Sequence, residues 1–435
     1  MAQRDGKAEP MNIAAGHGAD APLSAAEENA VARKNALLYA ACQAFNGAAA
    51  PVSISLGGLT GSYLLAADKS LATAPVTGYN VGMAIAALPA AMLMRRLGRK
   101  HGFMSGALVG IVGMLISAWA IVRQDFWLFA FALAVNGISG GFTQQYRFAA
   151  ADRGTPDYKA KAISWVLAGG VAAAIIGPQL VLWTRDLLAP VPFAGAYLSG
   201  TLLFAISLVV MTFLEPSKSS ASAAARSPAQ AEAGPPDTGR SLGQIMAQPR
   251  FIVAVLCGTS SFALMSFLMT AAPLAMIGCG YSVDESTLGI QWHVMAMFAP
   301  SFFTGNLIAR FGKEAIVAIG LVILAACGVV ALMGIELANF WGSLILLGVG
   351  WNFGFIGATA MVTETYAPEE KAKAQGANDF ILFGTVAFAS FMSGQLLNAY
   401  GWNVLNMLVF PIVVICLAAL GWLVTHKPPR RGFAG

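Results

Sequence analysis

The chain has 435 residues, 57% of them hydrophobic and only 11% charged, with a mean hydropathy of +0.67. Soluble domains carry roughly 25% charged residues, so a conventional water-facing surface is excluded and most of the chain must face lipid. The net charge of +5 and pI near 9.0 do not indicate nucleic acid, because Lys and Arg stand in short clusters between apolar stretches, as in membrane-protein loops.

Residues 1–34 are polar, carry no apolar core of the signal-peptide kind, and read as a cytoplasmic tail. Six apolar segments follow at 36–65, 73–94, 102–122, 126–150, 160–184 and 194–214, each near the ~20 residues a spanning helix needs. They make residues 35–214 a first six-helix bundle. The stretch Glu215–Arg250, rich in Ala and Ser and carrying Pro216, Pro228, Pro235 and Pro236, cannot bury a core and reads as a flexible cytoplasmic linker. Six more spans at 251–277, 287–309, 315–335, 338–362, 372–398 and 402–425 make residues 251–425 a second bundle, and 426–435 a cytoplasmic tail. With both termini in the cytoplasm, all but Lys69, Arg123, Arg147 and Arg185 of the 26 Lys and Arg residues fall in cytoplasmic segments. The opposite orientation would break the positive-inside rule at nearly every loop. Five scattered cysteines show neither CxxC nor metal spacing and read as packing residues. No cofactor or metal is expected.

Polar groups inside a bilayer are costly, so their positions are informative. Span one carries Gln43 and Asn46, three residues apart on one face and ~12–16 Å deep. Span four places Asn136 near mid-bilayer and repeats along one face through Gly140, Thr143 and Arg147, with Gln144 alongside. Trp292 and His293 of span eight lie near the external face, and Trp351 and Asn352 of span ten lie at mid-depth, where Trp beside Asn suits an amphipathic ligand. Asn378 and Asp379 sit ~12 Å into span eleven, with Gln375 one turn earlier. Spans three, six and nine, and most of span twelve, are nearly apolar. Any one of these amides could simply bond a neighbouring helix, at ~0.6–2 kcal/mol. As a set facing one centre they read as a substrate site, with Arg147 either an anion anchor or an inner-boundary residue. Asp379 is the candidate proton-binding acid. The Gly-xxx-Gly pairs Gly78/Gly82, Gly106/Gly110, Gly137/Gly141 and Gly350/Gly354 read as close helix contacts.

Two loop motifs recur. Arg96-Leu97-Gly98-Arg99-Lys100 after span two matches Arg310-Phe311-Gly312-Lys313 after span eight, and Pro156-Asp157-Tyr158-Lys159-Ala160-Lys161-Ala162 before span five matches Pro368-Glu369-Glu370-Lys371-Ala372-Lys373-Ala374 before span eleven. The offsets are 214 and 212 residues, which marks an internal duplication of six-helix units. On these loops the chain resembles the major facilitator superfamily along essentially its whole length. The loop signature G-x-x-x-D-R-x-G-R-R/K keeps its Arg, Gly and basic positions, while Ala91 and Arg95 replace the first Gly and the Asp. The second copy keeps Gly305 and also lacks the Asp. The drug-antiporter patterns of spans four and five are reduced to Asn136-Gly137 and Gly177-Pro178. The runs Gln144–Phe148 and Gly350–Gly357 look like a bacterial subgroup of the family, in which a vitamin such as riboflavin is a conceivable substrate.

The resemblance implies an all-α membrane protein of twelve transmembrane helices in two six-helix bundles, related by a pseudo-two-fold axis along the membrane normal. It implies spans three, six, nine and twelve outside, the partition already given by the polarity count. It further implies cytoplasmic ion pairs that latch the outward-facing state. Asp152 and Glu364, 212 residues apart, are read as its acids, with Arg96 or Arg99 as the partner of the first and Arg310 or Lys313 of the second. The expected function is secondary active transport of a small organic solute by alternating access, with proton coupling, in a bacterial inner membrane. Sparse midplane charge suits a neutral or weakly anionic substrate, aromatic ones included. A transporter-like sensor and a facilitative uniporter are the alternatives. No Walker loop, HExxH or catalytic triad points to an enzyme, and polar groups clustered at mid-depth do not make a channel lining. The expected working unit is a monomer in the lipid bilayer, without nucleic acid.

Overall fold

The computed structural model describes residues 25–66, 68–152, 156–215 and 239–426. These form α1 (Ala25–Leu64), α2 (Ala74–Val122), α3 (Phe126–Thr143), α4 (Tyr146–Ala150), α5 (Pro156–Thr184), α6 (Ala194–Thr212) and α7 (Leu242–Met246). There follow α8 (Pro249–Gly278), α9 (Val283–Phe298), α10 (Ser301–Phe311), α11 (Lys313–Leu332), α12 (Leu337–Val362), α13 (Lys371–Met407) and α14 (Val409–Thr425). They make twelve transmembrane helices in two six-helix halves about a pseudo-two-fold axis. Spans two and three share α2, span four is α3 with α4, and span eight is α9 with α10. Span twelve is the end of α13 with α14.

Among the described residues, by length and apolarity alone, eight stretches qualify as spans, the last of which, Lys373–Thr425, covers spans eleven and twelve together. The three that fall short are spans one, two and eight. All three line the cavity described below, and span eight falls short by length because it is broken into α9 and α10.

The loop motif has a backbone reason. Gly98 (φ 79°, ψ 161°) turns the chain between spans two and three, and Gly312 (φ 87°, ψ 157°) does the same between spans eight and nine. That conformation is essentially restricted to glycine, and a side chain there would cost about 1–3 kcal/mol. Glycine also lets spans two and four touch. A Cβ on Gly82 would lie 1.9 Å from the Ala134 carbonyl oxygen, and one on Gly137 would lie 1.9 Å from that of Tyr79.

Each half has its own apolar core. Phe103, Phe129, Tyr197 and Phe204 anchor the first, and Phe251, Phe340, Leu344 and Trp402 the second. Cys42, Cys257, Cys327 and Cys416 are buried as expected, but Cys279 is exposed.

The stretch expected to be a flexible linker is shorter than 215–250. Residues 216–238 lie outside the described residues, but both flanks are fixed. Glu215 pairs with Lys34 at 2.8 Å and exchanges backbone hydrogen bonds with the Asn35 amide. The Arg240 guanidinium donates to both Glu370 carboxylate oxygens, at 3.0 and 2.7 Å, and to the Thr365 carbonyl at 2.9 Å. Ser241 then caps α7 through a capping box with Gln244, and Pro249 opens α8.

The expected latch acids pair within their own halves. Arg99 donates to Asp152 at 2.9 Å, and Glu364 accepts from Lys313 and Arg250. Arg99 and Asp152 both belong to the first half, and Arg250, Lys313 and Glu364 to the second. These are partners the repeat pointed to, with Arg250 in addition, and in this conformation each pair fastens a loop to its own bundle. Arg96 lies exposed beside its loop, and Arg310 stacks over Phe311 at 5.2 Å.

Candidate functional site

A cavity of about 130 Å³ lies between the halves at mid-depth. It is lined from spans one, two, four and five of the first half and seven and eight of the second. None of spans three, six, nine and twelve contributes, as the polarity partition has it, but neither do spans ten and eleven, which it placed at the cavity. The two walls differ in chemistry. The first half brings Gln43, Asn46, Asn80 and Gln144 with the Tyr79 hydroxyl; the second brings Phe262, Phe298, Met265, Met269 and Met297, with hydroxyls only from Ser266 and Thr270. Phe262 is backed edge-on by Trp351 and Phe355, themselves stacked 5.2 Å apart.

On the side away from the linker the halves are joined. Arg185 of span five pairs with Asp284 at the start of span eight. Gln179 donates to Gln291 at 2.9 Å, Gln395 to the Ser70 carbonyl at 3.0 Å, and Thr73 to the Phe391 carbonyl at 3.5 Å. Toward the linker side Gln144 and Asp379 are exposed. Asp379 of span eleven and Arg147 of span four are near enough for their charges to act on each other, yet form no ion pair. These are charges from opposite halves facing one gap.

Span four is not the continuous helix expected. It tightens at Gln144 and Gln145, where the Gln145 amide bonds back to the Phe142 carbonyl at 3.0 Å, and restarts as α4. The restart turns Tyr146 toward span one, where its hydroxyl accepts from the Asn46 amide at 2.6 Å.

Of the residues expected in the site, Gln43, Asn46, Thr143 and Gln144 line the cavity. Arg147 and Asp379 lie off it toward the linker side, and Asn378 donates to Asp379 at 3.0 Å. The others turn elsewhere, which corrects the single-face reading. Asn136 packs against span three, donating to Ser117 at 3.2 Å where Gly113 leaves room for it. Asn352 is fully buried and satisfied. It accepts from Thr304 at 2.6 Å and donates to the Met297 carbonyl and Ser301 hydroxyl, tying span ten to the break in span eight at Ala299 and Pro300. His293 is likewise buried and bonds the Leu344 carbonyl at 2.8 Å, while Trp292 is 41% exposed on the outer surface. Trp351 stands in the layer behind Phe262. Sequence reasoning missed Tyr79, Asn80, Phe262, Ser266 and Thr270. A Tyr-Asn pair in the middle of span two was a readable signal; a Phe or Met facing a cavity carries none.

The family model described as Major Facilitator Superfamily matches residues 35–300 and 293–435. The riboflavin transporter RfnT of Brucella anthropi is 51% identical over 389 residues, 89% of this chain and 95% of that protein. The uncharacterized MFS-type transporter YddS of Bacillus subtilis is 27% identical over 406 residues, 89% and 92% of the two chains. Among solved structures a D-xylose–proton symporter superposes with a TM-score of 0.66 at 13% identity, covering 93% of this chain and 98% of that one.

Proposed function

The chain belongs to the major facilitator superfamily and is a multi-pass membrane transporter, and on that premise we propose that it carries riboflavin or a close flavin by alternating access. The observation that carries the reading is the two-faced cavity between the halves, in a chain 51% identical to a riboflavin transporter. A flavin is planar, aromatic and uncharged at neutral pH, with hydrogen-bonding groups gathered on its pyrimidine edge and ribityl tail. An amide-rich wall opposite a Phe and Met wall complements it.

The linker side is the cytoplasmic face of a bacterial inner membrane, because it holds nearly all Lys and Arg residues. The described conformation then faces the cytoplasm, with its outer side closed. Separate cores in the two halves suit a rocking motion about the central site. Asp379 is the proton-coupling acid, as the carboxylate exposed to the gap nearest the cavity. Purified protein in proteoliposomes should take up labelled riboflavin, saturably and in competition with unlabelled flavin. Absence of uptake and of counterflow exchange in protein that binds riboflavin would instead favour the transporter-like sensor.

A further inference from the structure

Asn46 is 4% exposed and lines the cavity, yet its amide is only half used. Its NH₂ group donates to the Tyr146 hydroxyl at 2.6 Å, while its Oδ1 has no partner. A buried unpaired acceptor costs about 1–3 kcal/mol, so an orphan kept in a cavity wall points to a ligand that supplies the donor. The Asn46 orientation is not loosely held. Tyr146 is 1% exposed, stacks on Tyr39 with centroids 6.0 Å apart, and meets Phe103 edge-on at 4.9 Å. Tyr146 is thereby a fixed partner for the NH₂ end of the Asn46 amide.

Two carboxamides that can donate line the same cavity. Gln43 lies one turn before Asn46 on the same face of span one, and its side chain folds over Gly47, where a Cβ would come within 2.6 Å of Nε2. Asn80 of span two lines the same cavity at 6% exposure. One acceptor with carboxamide donors around it is the complement of an imide: an N–H between two carbonyl groups. The isoalloxazine ring has one such edge, at N3–H between the C2 and C4 carbonyls, and that is its single ring N–H.

We propose that Asn46 reads the imide N–H of a planar heteroaromatic substrate through Oδ1, with Tyr146 as its positioning residue. This assignment rests on the flavin reading and gives the substrate a direction. The pyrimidine edge points at span one of the first half, and the ring faces the Phe262 and Met wall of the second. Sites built to bond an N–H reject the analogue lacking it, because their own polar group is left unpaired.

The test is equilibrium binding of riboflavin and of 3-methylriboflavin, whose N3 carries no hydrogen, followed by flavin fluorescence on purified full-length protein in nanodiscs. The wild type should bind the methylated flavin at least about tenfold more weakly. Asn46→Ala should weaken riboflavin binding, leave 3-methylriboflavin binding unchanged or tighter, and bring the ratio near one. Tyr146→Phe keeps the aromatic stack but frees the amide to turn, so it should lower the ratio, a change that general loosening of the fold would not produce; it decides the matter if Asn46→Ala does not fold. Equal binding of both flavins by the wild type, or an unchanged ratio in the variants, overturns the role of Asn46 while the flavin assignment stands. No riboflavin binding by the wild type overturns the flavin assignment itself, and the role of Asn46 with it.

Discussion

Asp379 and Asn352 show how little a polar residue's depth says about its task. Both are polar positions within spans of the second half, but Asn352 uses its amide on three partners inside that half, and Asp379 has one neighbour, Asn378, and an open gap in front of it. A satisfied amide has nothing left for a ligand; an exposed carboxylate opposite an arginine of the other half can respond when the gap closes. If Asp379 couples transport to protons, Asp379→Asn should abolish accumulation driven by an imposed pH gradient in proteoliposomes. Riboflavin binding and counterflow exchange should persist. Retained accumulation would remove Asp379 from the coupling step, and joint loss of binding and exchange would make it a substrate ligand. Asn136 and His293 also sit at a plausible depth and bond a neighbouring helix, though each keeps one buried polar atom unpaired.

Among the elements, the clasp that ends the linker has a definite pH dependence. Two hydrogen bonds from the Arg240 guanidinium, with the Ala367 amide, hold the Glu370 carboxyl at about 2, below its ordinary value of 4.5. A depressed acid stabilises the folded clasp fully above the ordinary value, and that contribution is lost as pH falls from 4.5 toward 2. Proteolysis at the 239–248 segment should therefore accelerate across that window in the wild type, read with an acid-active protease. In Glu370→Gln the segment should be cut faster at neutral pH, with little further change on acidification. A wild-type rate that is flat with pH would mean that the clasp is held by the capping box and α7 instead. The breaks in spans four and eight are element-scale features of the same kind. Each interrupts a helix so that a particular side chain, Tyr146 in one and the Asn352 partners in the other, reaches a neighbour that a straight helix would miss.

For the whole molecule, the contacts away from the linker set the balance between its two faces. The Arg185–Asp284 pair and the Gln179–Gln291 bond join the halves only while that side is closed. An exposed ion pair contributes only ~0–1 kcal/mol, so one deletion is a weak test. Arg185→Ala with Gln179→Ala should shift the population outward several-fold, since ~1 kcal/mol is about a factor of five. A cysteine at Val76, in a background with the exposed Cys279 replaced by Ser, should then react faster with a membrane-impermeant maleimide added from outside. An unchanged rate would show that the apolar contacts of the interface, not these polar ones, hold the outer side shut.

What the sequence by itself determined is the architecture. Hydropathy placed the spans, and the 214- and 212-residue repeats paired the halves. The absence of polar side chains marked spans three, six, nine and twelve, which stay off the cavity, but the polar side chains of spans ten and eleven did not place them on it. These are properties of a segment against its solvent: lipid acts on every residue of a span, so composition alone reports it. Only the tertiary structure decided which polar side chains face the centre. Gln43 and Asn46 do, while Asn136, His293 and Asn352 bond neighbouring helices. Asn80 entered with the turn of span two, and Tyr146 through the break in span four. A hydrogen bond is a short-range choice among neighbours, and those neighbours exist only once helices hundreds of residues apart have packed.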